Sequence, residues 1–218
     1  MSPSGSPGPR RRGRGGGGWP PPDGPGEGTL AGQGPDADPE TAARAICLRL
    51  LTAAPRTRAQ LADALRRRGV PEDAAEAVLA RFQEVGLIDD KAFAEAWVSS
   101  RHAGRGLGRK ALAAELRHRG VADETVRDAV ARLDPEEELE TARRLVARRL
   151  PATRGLPTAT RARRLGGMLA RKGYSPGLVY RVVREALEAE GEADGHVGDD
   201  LDALAGWEPE ELSGDDSP

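Results

Sequence analysis

The sequence of 218 residues has few of the side chains that enzymes use for chemistry. It has a single cysteine, which excludes a disulfide within the chain, and its three histidines do not cluster with cysteines or carboxylates at the spacing of metal ligands. None of its glycine-rich segments continues into the Lys-Ser or Lys-Thr of a phosphate-binding loop. We therefore expect neither an enzyme nor a protein that holds a metal or another cofactor.

Long apolar runs and aromatic side chains are also scarce. No apolar run approaches the roughly 20 residues that cross a membrane. The arginines between positions 10 and 14 are not followed by the apolar segment of a secretory signal. We expect a cytoplasmic protein with no membrane contact. Because aromatics make up only 3% of the chain, its core must use Leu, Val and Ala. Cys47 lies beside Ile46 on an apolar helical face, which predicts a small buried thiol.

The charge is distributed unevenly along the chain. Residues 41–190 hold 29 Lys or Arg against 20 Asp or Glu, whereas residues 191–218 hold ten acidic residues and no Lys or Arg. A basic body with an acidic tail indicates a polyanionic or acidic partner. The simpler alternative is that arginine is abundant throughout, with 30 Arg and three Lys, and that these charges are merely solvated.

One pattern, Leu-x3-Leu-x3-Gly, occurs three times. It ends at Gly69, Gly120 and Gly173, which are 51 and 53 residues apart. Helix signals surround each copy, and strand signals are nearly absent. Thr57 and Gln60, for example, predict a capping box, and each glycine predicts a left-handed helix stop. Tandem helical repeats form long surfaces that bind macromolecules more often than small substrates.

We predict an all-α fold, an elongated array of three tandem three-helix repeats between disordered tails. The predicted segments are a Gly/Pro/Arg arm at 1–40, repeat 1 at 41–88, repeat 2 at 89–133, repeat 3 at 134–190 and an acidic tail at 191–218. Helices are predicted to start at the caps Asp89 or Asp90, Asp123, Asp134 and Ser175, and the first helix of repeat 2 is predicted to end near His102 to Gly104. Because no unit is large enough to bury much by itself, we expect neighbouring units to share their packing.

Basic residues concentrate on the middle helix of each repeat and on the glycine-rich segment 101–110 between two helices. If the units stack in register, these charges form a stripe suited to carboxylates or phosphates, and the flexible glycines let a partner approach the backbone. The candidate partner-binding or DNA-binding residues are Arg66, Arg67, Arg68, Arg101, Arg105, Arg109, Lys110, Arg117, Arg119, Arg161, Arg163, Arg164, Arg171 and Lys172. The alternative is that helix C-termini simply attract cations and that the connection is solvated.

The segment Gly86-Leu87-Ile88-Asp89-Asp90, followed by Phe93-Ala94, Trp97-Val98 and Arg101, resembles the signature of the RecX family of recombination regulators. The next copy of the repeated pattern, at 112–121, is similar to that family's middle-helix pattern. The resemblance extends over residues 42–188, almost all of the region predicted to fold. Among the matching residues, Phe93 and Trp97 are expected in the core and Asp89 or Asp90 at a helix cap. Arg101 is therefore the one residue that the resemblance implies as a contact with a partner.

The resemblance implies a right-handed array of three-helix repeats that binds the RecA recombinase. It further implies a protein, expected to be a monomer, that lies in the groove of the RecA–single-stranded DNA filament and restrains ATP hydrolysis and strand exchange, with weak single- or double-stranded DNA binding of its own. The alternatives are a DNA-binding module that acts without RecA, because three-helix units with a basic middle helix resemble helix-turn-helix arrangements, and an adaptor for another acidic protein. The arm and the tail depart from a minimal family member. The tail either folds back on the basic stripe or only solubilises the chain.

Overall fold

The computed structural model describes residues 38–190, and the predictions for the arm and the acidic tail lie outside these residues. Within this range the chain forms nine α-helices and one short 3₁₀ helix, with no strand, so the all-α prediction is confirmed. The helices are α1 (Pro39–Ala53), α2 (Arg58–Arg67), α3 (Glu72–Glu84), α4 (Asp90–Arg105), α5 (Arg109–His118), α6 (Asp123–Ala131), α7 (Pro135–Arg149), α8 (Thr158–Arg171) and α9 (Pro176–Ala189). The 3₁₀ helix, Leu150–Thr153, follows α7.

The helices pack in consecutive groups of three, which we call units 1, 2 and 3. The extensive helix–helix contacts pair helices of the same unit, such as α1 with α3, α4 with α6 and α8 with α9. The predicted array of three tandem three-helix repeats is therefore confirmed. We call α2, α5 and α8 the middle helices, because each is the second helix of its unit.

Local sequence signals determine most of the helix starts. The capping box at Thr57 is formed as predicted, and the side chains of Asp134 and Ser175 cap α7 and α9. Of the two candidate caps of α4, Asp89 is the cap, and its carboxylate accepts a hydrogen bond of 2.8 Å from the Ala92 amide. These short-range bonds satisfy amides that have no partner within the helix.

The predicted cap of α6 is wrong. Asp123 is the first residue of that helix, and Ala122 occupies the cap position without a side-chain hydrogen bond. The Asp123 carboxylate instead accepts a hydrogen bond of 2.7 Å from Arg117 Nε. A neighbouring arginine has therefore taken the carboxylate that would otherwise bind the helix amides.

Glycines in the left-handed conformation end several helices. The three repeated glycines Gly69, Gly120 and Gly173 have φ angles of 72°, 77° and 82°, as the pattern predicts. Helix α4 was expected to stop between His102 and Gly104 but continues to Arg105, where Gly106 with a φ of 62° caps it. That extra length brings the end of α4 against unit 3.

Each unit has its own apolar core, so the expectation that packing is shared between units is wrong for the core. Three separate clusters of buried side chains occur, represented by Leu61 and Leu79 in unit 1, Trp97 and Leu116 in unit 2, and Leu169 and Val183 in unit 3. The three helices of a unit suffice to enclose their own Leu, Val and Ala side chains. Cys47 is buried in the first cluster, as predicted, and burial raises its thiol pKa to about 11.

Candidate partner-binding surface and the unit junctions

The middle helices form a row in which the end of one helix meets the beginning of another. At the start of α2, Thr57 Oγ1 donates a hydrogen bond of 2.7 Å to the carbonyl of Arg119, at the end of α5. At the start of α5, the Gly108 amide donates one of 2.8 Å to the carbonyl of Lys172, at the end of α8. In each case the positive end of one helix dipole faces the carbonyls of the next helix. We call these contacts junction 1–2 and junction 2–3.

Junction 2–3 brings two backbones into direct contact. Besides Gly108, the Lys110 amide donates to the carbonyl of Gly173 at 3.0 Å. A Cβ on Gly108 would lie 2.7 Å from that same carbonyl oxygen, and one on Gly173 would lie 2.9 Å from Ala111 Cα. Both distances are shorter than van der Waals contact, so the close approach requires glycine on each side.

Buried side chains strengthen the same junction. The His102 ring bridges two elements, with Nδ1 2.8 Å from the Leu107 carbonyl and Nε2 3.0 Å from Thr141 Oγ1 on α7. The Tyr174 hydroxyl donates to the Gly106 carbonyl at 3.0 Å, and burial together with the nearby Glu138 carboxylate raises the Tyr174 pKa to about 12. The glycines of segment 101–110 predict that a partner approaches the backbone closely. In the structure, unit 3 of the same chain makes this close approach.

The basic side chains of this segment have different environments. Arg109 is tied to unit 3, because its guanidinium lies 3.4 Å from the Glu138 carboxylate on α7, and it also donates to the Leu133 carbonyl within unit 2. Arg105 and Lys110 are exposed, and the Arg105 carbonyl accepts a hydrogen bond from Lys172 Nζ at 2.7 Å. Of these cations, the side chains of Arg105 and Lys110 are the ones that face solvent.

Junction 1–2 joins side chains to backbone groups. The Arg58 amide donates to the Asp90 carboxylate at 2.9 Å, and burial raises the pKa of Asp90 above its usual range. A Cβ on Gly120 would lie 2.3 Å from the Ala59 Cβ at the first turn of α2, so this junction also requires glycine. In the described residues, no backbone-to-backbone hydrogen bond joins units 1 and 2.

Two of the predicted contact residues surround a buried tryptophan beside this junction. The guanidinium carbons of Arg101 and Arg119 lie 4.1 Å and 3.7 Å from the Trp97 ring centroid. The indole Nε1 donates to Glu115 at 2.8 Å, and Arg101 forms an ion pair of 3.4 Å with the same carboxylate. Burial and the charge of Arg101 lower the pKa of Arg119. Arg101, the one contact that the resemblance implies, is therefore mostly enclosed by unit 2.

The candidate residues on α2 and on the end of α5 lie nearer the solvent. The Arg66 side chain is 79% exposed and pairs with Asp63 at 2.7 Å. Arg67 is exposed, whereas Arg68 is half-buried and donates to the Ala64 carbonyl. Arg117 is exposed and bonded to Asp123 as described above. Exposed ion pairs of this kind are weak and exchange readily for a partner's charges.

On α8 one candidate is structural and three are exposed. The Arg161 side chain is fully buried and bonded to Thr153 Oγ1 and the Glu190 carboxylate, so it presents no surface to a partner in this conformation. Arg163, Arg164 and Arg171 are exposed. The middle helix of each unit therefore carries exposed basic side chains, although several predicted cations serve the fold.

Sequence reasoning missed the residues that join the units. Asp90 was considered only as a cap, and His102 as an isolated residue, whereas both form bonds between units. Their partners are distant along the chain, so no local pattern could indicate them. The described residues contain no group of His, Cys, Asp and Glu suited to a metal ion, and none of their helices is long and apolar enough to span a membrane.

The fold and this surface define a class of protein, a tandem array of three-helix units whose middle helices form a row with exposed cations. Models of three RecX domains match the chain in order, the first three-helix domain at residues 43–82, the second at 89–130 and the third at 136–183. The chain belongs to the RecX family.

Curated relatives agree over most of their length. The chain is 67% identical over 169 residues to the regulatory protein RecX of Thermobifida fusca (strain YX), an alignment that covers 78% of this chain and 89% of the relative. It is 66% identical over 166 residues to the regulatory protein RecX of Streptomyces lividans, covering 76% of this chain and 88% of the relative. For the protein of the same name from Mycolicibacterium smegmatis (strain ATCC 700084 / mc(2)155), identity is 49% over 157 residues, 70% of this chain and 84% of the relative.

Two solved structures have a similar fold. A crystal structure of RecX from Lactobacillus salivarius superposes with a TM-score of 0.65 at 22% identity, over 68% of this chain and 96% of that one. A crystal structure of a regulatory protein RecX gives a TM-score of 0.62 at 26% identity, over 68% of this chain and 72% of that one. The arrangement of the units is therefore found in experimental structures of the family.

Proposed function

We propose that this protein binds the filament that the RecA recombinase forms on single-stranded DNA, lies along its groove and modulates it, mainly by inhibiting ATP hydrolysis and strand exchange. Two facts support the proposal, membership in a family whose curated relatives are named regulatory proteins and the head-to-tail row of middle helices. The row of middle helices is the main observation behind the proposal, because exposed cations occur on it in all three units.

The architecture suits a ligand that lies along a polymer. A filament repeats the same surface at every subunit, so an array of three units gains affinity by making several modest contacts in series. The units have separate cores, so each of them can present its own contacts along a helical groove. The excess of basic residues between 41 and 190 favours a partner rich in carboxylates or phosphates.

Inhibition of this kind requires no catalytic group. A ligand that bridges neighbouring filament subunits restrains their rearrangement to the extent that it binds one filament state more tightly than the other. The free energy needed for the rearrangement that accompanies ATP turnover then rises by the difference in binding free energy between the two filament states. Because exposed cations provide much of the attraction, raising the salt concentration is expected to weaken the effect.

The test is a titration of RecA ATP hydrolysis on single-stranded DNA with the full-length protein, at low and at physiological salt. We expect hydrolysis to fall at stoichiometric amounts and the fall to be smaller at higher salt. Unchanged hydrolysis, together with tight DNA binding in the absence of RecA, would instead identify a DNA-binding module. If the protein affected neither RecA nor DNA, the adaptor alternative would replace this proposal.

A pair of matched variants tests the exposed cations of segment 101–110. We expect Arg105→Gln combined with Lys110→Gln to weaken inhibition by about fivefold, since each exposed contact contributes up to about 1 kcal/mol. Arg109 is left unchanged because it holds junction 2–3. The control, Arg127→Gln with Arg148→Gln, removes the same charge from exposed positions on α6 and α7. Equal inhibition by the two double variants would remove this segment from the binding surface.

A further inference from the structure

Junction 1–2 gathers more guanidinium groups than carboxylates. Arg101 and Arg119 stack on Trp97, and the charge of Arg56, which directly precedes the Thr57 contact, also acts on Arg119. Glu115 is the acidic side chain among them, and it already binds the indole and Arg101. Among the described residues, no ion pair joins Arg56 or Arg119 to a carboxylate. The cluster therefore keeps an excess of positive charge.

One donor in this cluster lacks a partner. Arg56 Nε is buried and forms no hydrogen bond in the described part of the chain. A buried donor without a partner is costly, and in native proteins such a group usually indicates a ligand, ion or water that completes the site. The repulsion that Arg56 and Arg101 exert on Arg119 points the same way, because an anion placed among the three groups would relieve it.

We propose that Arg56, Arg101 and Arg119 form an anion site that takes a phosphate group of a nucleic-acid backbone and thereby fixes the angle between units 1 and 2. The inference rests on the proposed function for the identity of the nucleic acid, which is the DNA of the filament. A phosphate is favoured over a carboxylate because its tetrahedral oxygens accept hydrogen bonds from guanidinium groups that arrive from different directions, whereas a planar carboxylate matches a single fork.

The site spans the junction, which couples ligand binding to conformation. Arg56 belongs to unit 1, whereas Arg101 and Arg119 belong to unit 2. Without an anion, like charges face one another across a junction that has few other bonds. With an anion, the same residues are drawn together, so the bound form favours one angle between the units. Binding of DNA would then fix the orientation of unit 1 relative to unit 2.

The test uses the full chain with Trp19→Phe and Trp207→Phe, which leaves Trp97 as the single tryptophan. Pyrophosphate, a short oligo-dT and a glutamate-rich peptide are titrated at constant ionic strength and without RecA. We expect a saturable change in Trp97 fluorescence with pyrophosphate and oligo-dT, and slower hydrogen exchange of the Arg58 amide, whose bond to Asp90 crosses the junction. The peptide is expected to bind far more weakly.

The decisive variant is Arg56→Gln, which removes one charge from a side chain that has no ion pair to lose. We expect about tenfold weaker binding of both phosphate probes and loss of the exchange effect, because charge-assisted hydrogen bonds are the strong ones. Arg127→Gln, an exposed control on α6, should bind as the parent does. Equal binding by Arg56→Gln would overturn the site, and equal binding of the peptide would overturn its preference for phosphate.

Two further outcomes separate this inference from the function on which it rests. Binding of pyrophosphate but not of oligo-dT would overturn the assignment to nucleic acid while keeping a phosphate site. Because these titrations contain no RecA, their failure leaves the ATP hydrolysis result standing. Conversely, a protein that binds the phosphate probes but does not affect RecA would support the site and contradict the proposed function.

Discussion

Each of the two junctions joins the first turn of one middle helix to the glycine turn that follows another middle helix. The bonds at the two junctions nevertheless differ. Junction 2–3 pairs backbone with backbone through Gly108, Lys110 and their partners, and it buries a histidine and a tyrosine hydroxyl. Junction 1–2 pairs a hydroxyl and a carboxylate with backbone groups, beside a cluster of like charges.

Units 2 and 3 are thus joined by direct backbone hydrogen bonds, whereas units 1 and 2 are joined by bonds between side chains and backbone groups and by the contact of Gly120 with Ala59. A close backbone contact allows little relative movement, because any shift breaks several bonds at once and glycine leaves no side chain to rearrange. Repetition of sequence therefore does not require the same bonds at every junction.

The largest expected effect tests how close the backbones are. Gly173→Ala places a methyl group on the Ala111 backbone in a left-handed conformation, and we expect a loss of about 3 kcal/mol or more in the free energy of unfolding. Gly69→Ala is the matched control. It has a similar φ of 72° but nothing within 4 Å of the added Cβ, so only the backbone strain of about 1 kcal/mol remains. Urea unfolding measures both, and equal losses would contradict the close contact.

A smaller effect compares the buried polar groups of the two junctions. His102→Leu leaves the Leu107 carbonyl and the Thr141 hydroxyl without their partner, and we expect a loss of about 2–3 kcal/mol. At junction 1–2, Thr57→Val removes the bond to Arg119 and the helix cap, at a cost of about 1 kcal/mol. Thermal unfolding ranks the two variants. A greater loss from Thr57→Val would reverse the order of junction strength.

The smallest effect concerns Asp90 and pH. Its pKa is raised in the folded protein, so the folded state binds the proton more tightly, and stability from this group increases as pH falls through the raised value towards 3.8. Asp90→Asn keeps an acceptor for the Arg58 amide without a buried charge. We expect it to equal or slightly exceed the parent in stability at neutral pH, by less than about 1 kcal/mol, with the difference vanishing in acid. An advantage of the parent at neutral pH that disappears in acid would show that the charge stabilises the junction.

Much of the fold could be predicted because its signals are local. The capping box at Thr57 and the stop at Gly69 depend on hydrogen bonds within a few residues, and apolar spacing identifies the faces that become the cores. The errors arose where a competing neighbour intervened. The Asp123 carboxylate binds Arg117 instead of the amides of its own helix. Helix α4 extends to Arg105, where its end lies against unit 3.

The binding surface could be predicted less well, because basic residues look alike in a sequence. Arg163 and Arg161 are two positions apart on α8, yet the first is exposed and the second is fully buried against Glu190. The segment 101–110 has the composition of a flexible binding loop, but its first five residues belong to α4 and the amides of Gly108 and Lys110 bond to unit 3. No pattern of the sequence distinguishes a cation that supports the fold from one that meets a partner.

The sequence by itself determined that this chain forms helices, where most of them begin and end, and that the unit occurs three times, because caps, glycine stops and apolar spacing act between near neighbours. Only the tertiary structure decided how the units join. The contact of Thr57 with Arg119 spans 62 residues, and that of Tyr174 with Gly106 spans 68. Such pairs join residues that are far apart in the sequence, so the difference between the two junctions exists in three dimensions alone.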